Sequence, residues 1–368
     1  MHIVFLASAI NVHTIRWANK LIEMGNDITV ISCKDHCPED ARKLGIHSSV
    51  NIISLPFPSL GGLGYFLNAI ACRKILSKLR PDVVNSHYAS GYGTLGRVAN
   101  ARPHALSVWG SDVFIFPDKS RLHKQLLVSN LKHADIIMST SFIMADRVRE
   151  ILGNSKLEIP ITPFGVDIQN FSFQDQSTRD ESPVRIGIIK SLKSIYGIQH
   201  LIEAAPLVRE ILKDRDEVNF QIHIYGDGPY RGELEALVEQ NDLKELVFFH
   251  GMIQNQFVPS VLDSLDIYAL PSIHESFGVA AVEAMAAGLP VVASNAPGLL
   301  EVITDGVNGI RVESGNSIQL ADALVKLIMD PDLRRELGTQ GRKEVENRFV
   351  FDENAKTLLT ALETIAKK

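Results

Sequence analysis

Short apolar runs alternate with amphipathic segments along the whole chain. Ile3–Ala7 is an uninterrupted apolar run that predicts a strand, and His13–Met24 carries apolar residues at helical spacing until Gly25 ends it. Further strands of the first half are predicted at Asp27–Ser32, Val50–Leu55, Asp82–Val84, Ala105–Val108 and Asp135–Ser139, with a helix at Arg121–Lys132. Near-continuous apolar strands separated by helices are typical of a parallel sheet covered on both faces.

The alternation pauses near residues 159–167 and then restarts. The polar stretch Gln169–Pro183 is the best candidate for a linker. Beyond it the predicted strands are Val184–Ile189, Phe220–Tyr225, Leu246–Phe249, Ile267–Leu270 and Val291–Ala293. The predicted helices are Ile198–Leu212, Tyr230–Glu239, Phe257–Leu262, Val279–Ala287, Ile318–Met329, Pro331–Glu346 and Glu353–Lys367. The sequence therefore predicts two doubly wound α/β domains, residues 1–165 and 166–349, with ligands outside the carboxyl ends of their strands.

Composition narrows the class of protein. The length of 368 residues suits two domains. No apolar run reaches the roughly 18 residues of a membrane span. The start of the chain lacks a basic region and a cleavage site, so we expect a cytoplasmic and not a secreted protein. Three cysteines do not make a disulfide framework, and no His/Cys cluster has metal-ligand spacing.

Charge is distributed unevenly between the halves. Residues 1–165 hold 18 Lys and Arg against 12 Asp and Glu, whereas residues 166–368 hold 19 against 31. A basic first half suits an anionic partner, such as a membrane surface or a phosphorylated acceptor. It also suits a solvated surface whose charge is merely uneven. No nucleic-acid partner is expected.

The segment from 271 to 290 carries the most specific chemistry. Gly278 opens a helix whose first amides have no internal partners, and such helix starts bind phosphate. Glu283 lies five residues further, roughly 7–8 Å along the helix, where a carboxylate can accept from the ribose hydroxyls of a nucleotide. Glu275 precedes the helix and would reach the other end of that ligand. The alternative for Glu275 is a charge that complements the helix dipole.

Glu275 and Glu283 resemble the E-x7-E motif of glycosyltransferase family 4, a large group of retaining enzymes with the GT-B fold. Other segments resemble the same family in the right order and cover nearly the whole chain. They are Gly110–Asp112, Pro163–Asp167, Tyr225–Pro229, His250–Gly251, Gly288–Ser294 and Pro297–Gly309. The resemblance implies two Rossmann-like domains facing across a cleft, with residues 350–368 returning to the first domain as a helix.

The resemblance also implies roles on the donor side. Glu275 contacts the donor sugar, the loop of Ser276, Phe277 and Gly278 holds the diphosphate through backbone amides, and Glu283 binds the nucleoside ribose. These implied roles agree with the chemistry of the helix start.

The basic residues that usually clamp the diphosphate are displaced in this chain. Ser191 and Tyr196 stand where the family pattern has arginine and lysine. Positive charge opposite a departing diphosphate is needed electrostatically. We expect Lys190 to supply it, with Lys193 as second candidate. Gly226 follows a strand and is either part of a phosphate cradle or the glycine of a tight turn.

The first domain is expected to supply the acceptor side. Its candidates, all near the ends of predicted strands, are Asn11, His13, Arg16, His87 and Trp109. Trp109 stands where some family members have histidine beside the donor sugar. Asp112 is placed at the reacting centre, where it orients its own loop or touches the acceptor and does not act as nucleophile.

The resulting hypothesis is a retaining glycosyltransferase. It would move a sugar from a nucleotide-sugar, with UDP-sugar preferred, to a glycan or lipid-linked acceptor in polysaccharide or glycoconjugate biosynthesis. We expect no cofactor and no metal, and a possible peripheral position on the inner face of the plasma membrane. The alternatives are a GT-B sugar-nucleotide epimerase and a non-catalytic sugar-nucleotide-binding subunit.

Overall fold

The computed structural model describes residues 1–38, 41–173, 183–215 and 219–366, which form two compact units. One unit comprises Met1–Phe164 together with Asp352–Lys368, and the other comprises Gly165–Phe351. Most of the predicted linker Gln169–Pro183 and the last residue of the predicted C-terminal helix lie outside the described residues.

The first unit is built around a parallel sheet. Its described strands are β1 (His2–Leu6), β2 (Asp27–Ser32), β3 (Asn51–Ser54), β4 (Val83–His87), β5 (His104–Val108) and β6 (Ile136–Ser139). The α-helices between them are α1 (Val12–Glu23), α2 (Leu63–Leu67), α3 (Ala69–Leu79), α4 (Gly93–Val98), α5 (Ser111–Phe114), α6 (Arg121–His133) and α7 (Phe142–Leu152).

The second unit repeats this architecture. Its described strands are β7 (Val184–Ile189), β8 (Phe220–Tyr225), β9 (Val247–Gly251), β10 (Ile267–Leu270), β11 (Val291–Ser294) and β12 (Ile310–Val312). Its α-helices are α8 (Ile198–Leu212), α9 (Arg231–Gln240), α10 (Val258–Leu262), α11 (Val279–Ala286), α12 (Ser317–Met329) and α13 (Pro331–Arg348), and α14 (Phe351–Glu363) follows them in the chain. Helix α14 belongs to the first unit from Asp352 onward, where the Asp352 carboxylate pairs with Lys20 at 2.7 Å.

Both sheets have the strand order of a dinucleotide-binding fold. The described order is β3-β2-β1-β4-β5-β6 in the first sheet and β12-β11-β10-β7-β8-β9 in the second. Counted within its own unit, each sheet therefore runs 3-2-1-4-5-6, with all neighbours parallel. The predicted pair of doubly wound α/β domains is confirmed. The chain reverses direction across the sheet between β1 and β4, and between β7 and β10, which is where such folds bind ligands.

The apolar strands are buried as their composition predicts. In β1, Ile3 to Leu6 are fully buried, and the first sheet packs apolar side chains on both faces. The burial of both faces explains why these strands read as continuous apolar runs and not as alternating ones.

Strand β4 is longer than its apolar pattern indicates. It was predicted to end at Val84, but Asn85, Ser86 and His87 continue it and are all buried. Hydrogen bonds to the neighbouring strand satisfy two of these polar side chains, because Ser107 Oγ donates to Asn85 Oδ1 at 3.0 Å and Ser86 Oγ bonds the ring of His104 at 2.8 Å. The extension places His87 at the carboxyl end of a central strand. Strand β12 and the helices α2, α3, α4, α5 and α7 were also absent from the prediction.

Candidate functional site

Two loops of the second unit meet at its topological switch point. Lys190 follows β7, and Glu275 follows the neighbouring strand β10. The Lys190 Nζ atom lies 2.5 Å from Glu275 Oε2, and the side chains are only 15% and 12% exposed. This largely buried ion pair places one cation and one carboxylate at the edge of the sheet where folds of this kind bind their ligands.

Tyr196 explains the displaced lysine. The Lys190 ammonium lies 4.5 Å from the centre of the Tyr196 ring, at cation–π distance. The family pattern has a lysine at position 196. In this chain Tyr196 stands there and contacts the ammonium of Lys190 instead. Lys193 is exposed and makes no side-chain contact of this kind among the described residues.

Glycines hold the Lys190 loop in place. Gly226 has φ +141° and lies so close to the Lys190 carbonyl that a Cβ would overlap it. Gly228 stands in the same relation to the carbonyl of Leu192. Gly226 has the positive φ that the tight-turn interpretation requires, and the close approach of the two loops is a further reason for glycine that the sequence did not indicate.

Helix α11 begins beside the ion pair. Gly278 caps it with φ +91°, and no side chain caps its amides. Among the described residues, the backbone amides of Gly278, Val279 and Ala280 donate no hydrogen bond, since the first donors of the helix are Ala281 and Val282. These three N–H groups, with the positive end of the helix dipole, can bind a phosphate. The expectation from the resemblance named the amides of Ser276, Phe277 and Gly278, so only Gly278 is common to both sets.

The two motif glutamates flank the start of α11, Glu275 before it and Glu283 within the helix. Glu275 precedes it, and its backbone carbonyl accepts from the amide of Gly298 at 2.9 Å. Glu283 is half-buried on α11. Burial raises the pKa of the Tyr268 hydroxyl well above its usual value, and the charges of Glu283 and Glu275 add to this effect.

In the first unit, the acceptor-side candidates gather around the ends of β1 and β4. Asn11 Oδ1 caps α1 by accepting from the amides of His13 and Thr14 at 2.9 and 3.3 Å. The Thr14 hydroxyl bonds the Nδ1 atom of His87 at 3.1 Å. Burial lowers the pKa of His87 to about 3, so its imidazole is neutral at physiological pH.

Trp109 is the centre of an aromatic cluster. Its ring lies 4.3 Å from the ring of His87, 6.1 Å from that of His13 and 5.2 Å from that of Phe164. His13 stacks on Phe164 at 3.7 Å, and burial, followed by the charge of Arg16, lowers the pKa of His13 to about 3. The tryptophan thus packs with neutral histidines where some relatives place a histidine.

Asp112 was expected at the reacting centre as a catalytic residue, but the structure buries it beneath its own loop. It is 1% exposed, and its carboxylate accepts hydrogen bonds from the amides of Ala89, Gly110 and Trp109 at 2.7, 2.8 and 3.2 Å. Three backbone donors and nearly complete burial account for this carboxylate within the fold. Asp112 is a positioning residue that fixes the loop of Trp109, as one of its two sequence alternatives holds.

A cavity of about 600 Å³ opens at the same edge of this sheet. Asn11, His87 and Trp109 line it, together with residues of α2 and of the turn after β4. His13 and Arg16 are not among its described lining residues. The structure therefore brings three of the five acceptor-side candidates onto one cavity.

One group of potential metal ligands lies near this cavity. Ligand atoms of Cys33, Asp35 and His36 lie within 4.8 Å of one another. Burial raises the pKa of the Cys33 thiol to about 11, which opposes the thiolate that a metal requires. Separately, no described helix is long and apolar enough to cross a membrane.

Sequence reasoning missed three residues of the second-unit site. Tyr196 was recognised only as a departure, Tyr268 lay within a strand, and Gly298 lay within a motif. A Cβ on Gly298 would overlap backbone atoms of Ser276 and Phe277. Only Gly298 carried a usable signal, because a glycine before an apolar helical turn indicates close packing of two backbones.

Two family models match this chain. The model described as "Glycosyl transferase 4-like" matches residues 2–141, and the model described as "Glycosyl transferases group 1" matches residues 170–344. The chain is 28% identical over 298 residues to an uncharacterized glycosyltransferase of Methanocaldococcus jannaschii, covering 79% of this chain and 78% of that protein.

Solved structures share the fold at low sequence identity. A sucrose-phosphate synthase from Thermosynechococcus elongatus has a TM-score of 0.83 at 19% identity, over 99% of this chain and 98% of its own. HepE from Anabaena, solved with UDP and glucose, has a TM-score of 0.78 at 21% identity, over 99% and 100% of the two chains. The structural similarity covers both units, as expected for a GT-B fold, which has two domains.

Proposed function

The chain belongs to the group 1 glycosyltransferases, and from this premise we propose that it is a retaining enzyme that transfers a sugar from a UDP-sugar to a glycan or lipid-linked acceptor. The observation that carries the proposal is the Lys190–Glu275 pair beside the uncapped start of α11. The relative from Methanocaldococcus jannaschii is named a glycosyltransferase, which favours transfer over the epimerase and the non-catalytic subunit. The binding of UDP by HepE, a protein of the same fold, supports the choice of donor base.

The proposed reaction needs no metal. The anomeric bond to the diphosphate breaks, the acceptor oxygen bonds the same face of the sugar, and the leaving phosphate oxygen takes the acceptor proton. Lys190 and the amides of Gly278, Val279 and Ala280 stabilise the negative charge that develops on the diphosphate. The Glu275 carboxylate holds Lys190 and contacts the donor sugar.

A donor screen tests this proposal. UDP-, GDP- and ADP-sugars are added to the protein in EDTA, and a bound donor is expected to raise the melting temperature by mass action. UDP-sugars should give the largest shift. Transfer to an acceptor, followed by NMR of the product, should show the anomeric configuration of the donor. An inverted product, or a shift only with added metal, would contradict the mechanism.

Glu283→Ala is expected to weaken nucleotide binding. The half-buried carboxylate would lose its hydrogen bonds to the ribose hydroxyls, and charged hydrogen bonds contribute about 1.5–3 kcal/mol, or roughly ten- to hundredfold in Kd. Calorimetry with UDP measures the effect. Glu336→Ala, an exposed glutamate of the same unit, is the matched control. An unchanged Kd for Glu283→Ala would remove the ribose role.

We further propose a peripheral position at an anionic membrane, on its cytoplasmic side. Residues 41–134 hold twelve Lys and Arg against three Asp and no Glu, so the basic charge of the first half is concentrated here. Within this region the segment 59–81 lacks acidic residues altogether. Its exposed apolar side chains are Leu60, Leu63, Phe66, Leu67 and Ile70. Cations beside exposed apolar residues are typical of helices that lie in a membrane interface.

Liposome flotation tests the membrane proposal. The protein is expected to float with vesicles that contain phosphatidylglycerol at low salt, and to float less at high salt or with phosphatidylcholine alone. Ile70→Glu should abolish flotation, because this side chain is 73% exposed on the proposed face. Ile318→Glu is the matched control, since Ile318 is 66% exposed in the second unit. Equal flotation of both variants, or no binding at low salt, would overturn the proposal.

A further inference from the structure

The cavity of the first unit is built entirely from that unit and lies at its switch point. The loop after β1 contributes Ser8 and Asn11, and the end of β4 contributes His87 and Tyr88. Its volume of about 600 Å³ falls within the usual range for small-molecule sites. It therefore has room for a sugar ring together with part of the group attached to it.

The described walls of the cavity hold no ammonium, guanidinium or carboxylate side chain. Among the described lining residues there is no Lys, Arg, Asp or Glu. Aromatic rings form much of the surface, and they are those of Tyr65, Phe66, Tyr88, Tyr92, Trp109 and Phe116. Residues 41–134 hold four times as many cations as acids, yet none of these cations is among the described lining residues of the cavity. Aromatic faces suit the C–H surfaces of a sugar or cyclitol ring.

The imidazoles that line the cavity are those of His36, His87 and His123. His87 is neutral, since burial lowers its pKa to about 3. At the other side, His36 Nε2 lies 3.9 Å from Asp35 Oδ2, and the Asp35 carboxylate accepts from the backbone amide of Ser59 at 2.8 Å. A phosphate at this wall would meet a nearby carboxylate and no lysine or arginine.

Neutral polar groups are available for hydroxyls. The Oδ1 atom of Asn11 is occupied by the cap of α1, whereas its Nδ2 atom makes no hydrogen bond among the described residues. His87 bonds Thr14 through Nδ1, and its Nε2 atom likewise has no partner in the described part of the chain. An amide donor and a neutral imidazole nitrogen can bind hydroxyl groups from two sides.

We propose that this cavity takes the acceptor, and that the acceptor ring is an uncharged glycosyl or cyclitol unit that carries no phosphate. This inference rests on the proposed function, because it names the acceptor class of that reaction. The physical reason is desolvation: a phosphate that enters an aromatic cavity without a cation loses its water and gains no compensating charge. The acceptor can carry a phosphate only at a distance, beyond the cavity.

The test compares neutral and phosphorylated forms of the same ring. Calorimetry measures the binding of glucose, glucose 6-phosphate, myo-inositol and myo-inositol 1-phosphate to the full chain saturated with UDP. The neutral member of at least one pair should bind at least about tenfold more tightly than its phosphate, which corresponds to 1.4 kcal/mol. Binding of the phosphate as tightly as its neutral partner, or binding of none of the four ligands, overturns the inference.

An engineered cation sharpens this test. Ser90 lines the cavity, and Ser90→Lys is expected to raise the affinity for the phosphorylated member at least about tenfold, because it supplies the missing charge. Ser48→Lys makes the same substitution at an exposed position of the same unit and should leave the preference unchanged. A change of equal size in both variants would contradict a role of this cavity. If UDP-sugars are neither bound nor cleaved, the proposed function fails independently of these ratios.

Discussion

Lys190→Met is expected to lower kcat by about 10²–10³-fold while the protein stays folded. The substitution keeps an unbranched side chain of similar size, but removes the ammonium that lies 2.5 Å from Glu275, over the Tyr196 ring and beside the start of α11. The leaving diphosphate then loses a preorganised cation. Steady-state kinetics with the best donor of the screen measures the effect, and circular dichroism verifies the fold.

The matched control for this prediction is Lys193→Met. Lys193 lies three residues further in the same loop and is exposed, so its loss should leave kcat near the wild-type rate. Lys190→Arg should keep part of the activity, because it preserves the charge. Normal turnover of Lys190→Met together with slow turnover of Lys193→Met would transfer the role to Lys193.

Gly298→Ala is expected to have the second large effect. Its φ angle is not positive, so the reason is steric alone. A Cβ would overlap backbone atoms of Ser276 and Phe277 and would lie 2.7 Å from the carbonyl oxygen of Glu275. The loop that precedes α11 must move, and displacement of a reacting group by about 1 Å can cost about 10²-fold in rate. Overpacking should also lower the free energy of unfolding by about 1–3 kcal/mol.

Gly232→Ala provides the control for this substitution. Gly232 lies in α9 of the same unit, and a Cβ there would meet no atom within 4 Å. The alanine should leave kcat unchanged and raise stability by up to about 1 kcal/mol through helix propensity. Urea unfolding and kinetics on both variants separate the two effects. Unchanged kcat in Gly298→Ala would show that the 275–277 loop tolerates displacement.

The pattern of apolar residues predicted helices and strands well where the burial of apolar side chains sets their bounds. The bounds of α8 agree with the prediction at both ends, although Pro206 lies inside the helix. Prediction failed where polar residues are buried, as in Asn85 and Ser86 of β4, because their cross-strand hydrogen bonds leave no trace in periodicity. It failed for α2 and α3 because several of their apolar side chains are exposed.

The sequence by itself determined the two α/β runs, the motif glutamates Glu275 and Glu283, and the concentration of basic charge in residues 41–134. These features depend on residue type and local spacing, which can be read along the chain.

Only the tertiary structure decided which lysine pairs with Glu275, that Asp112 positions a loop, and that a cavity without charged walls opens beside His87. Lys190 and Glu275 are 85 residues apart in the chain, and they meet because β7 and β10 are neighbours in the sheet. Strand order follows from the packing of the whole domain, so no local pattern contains it.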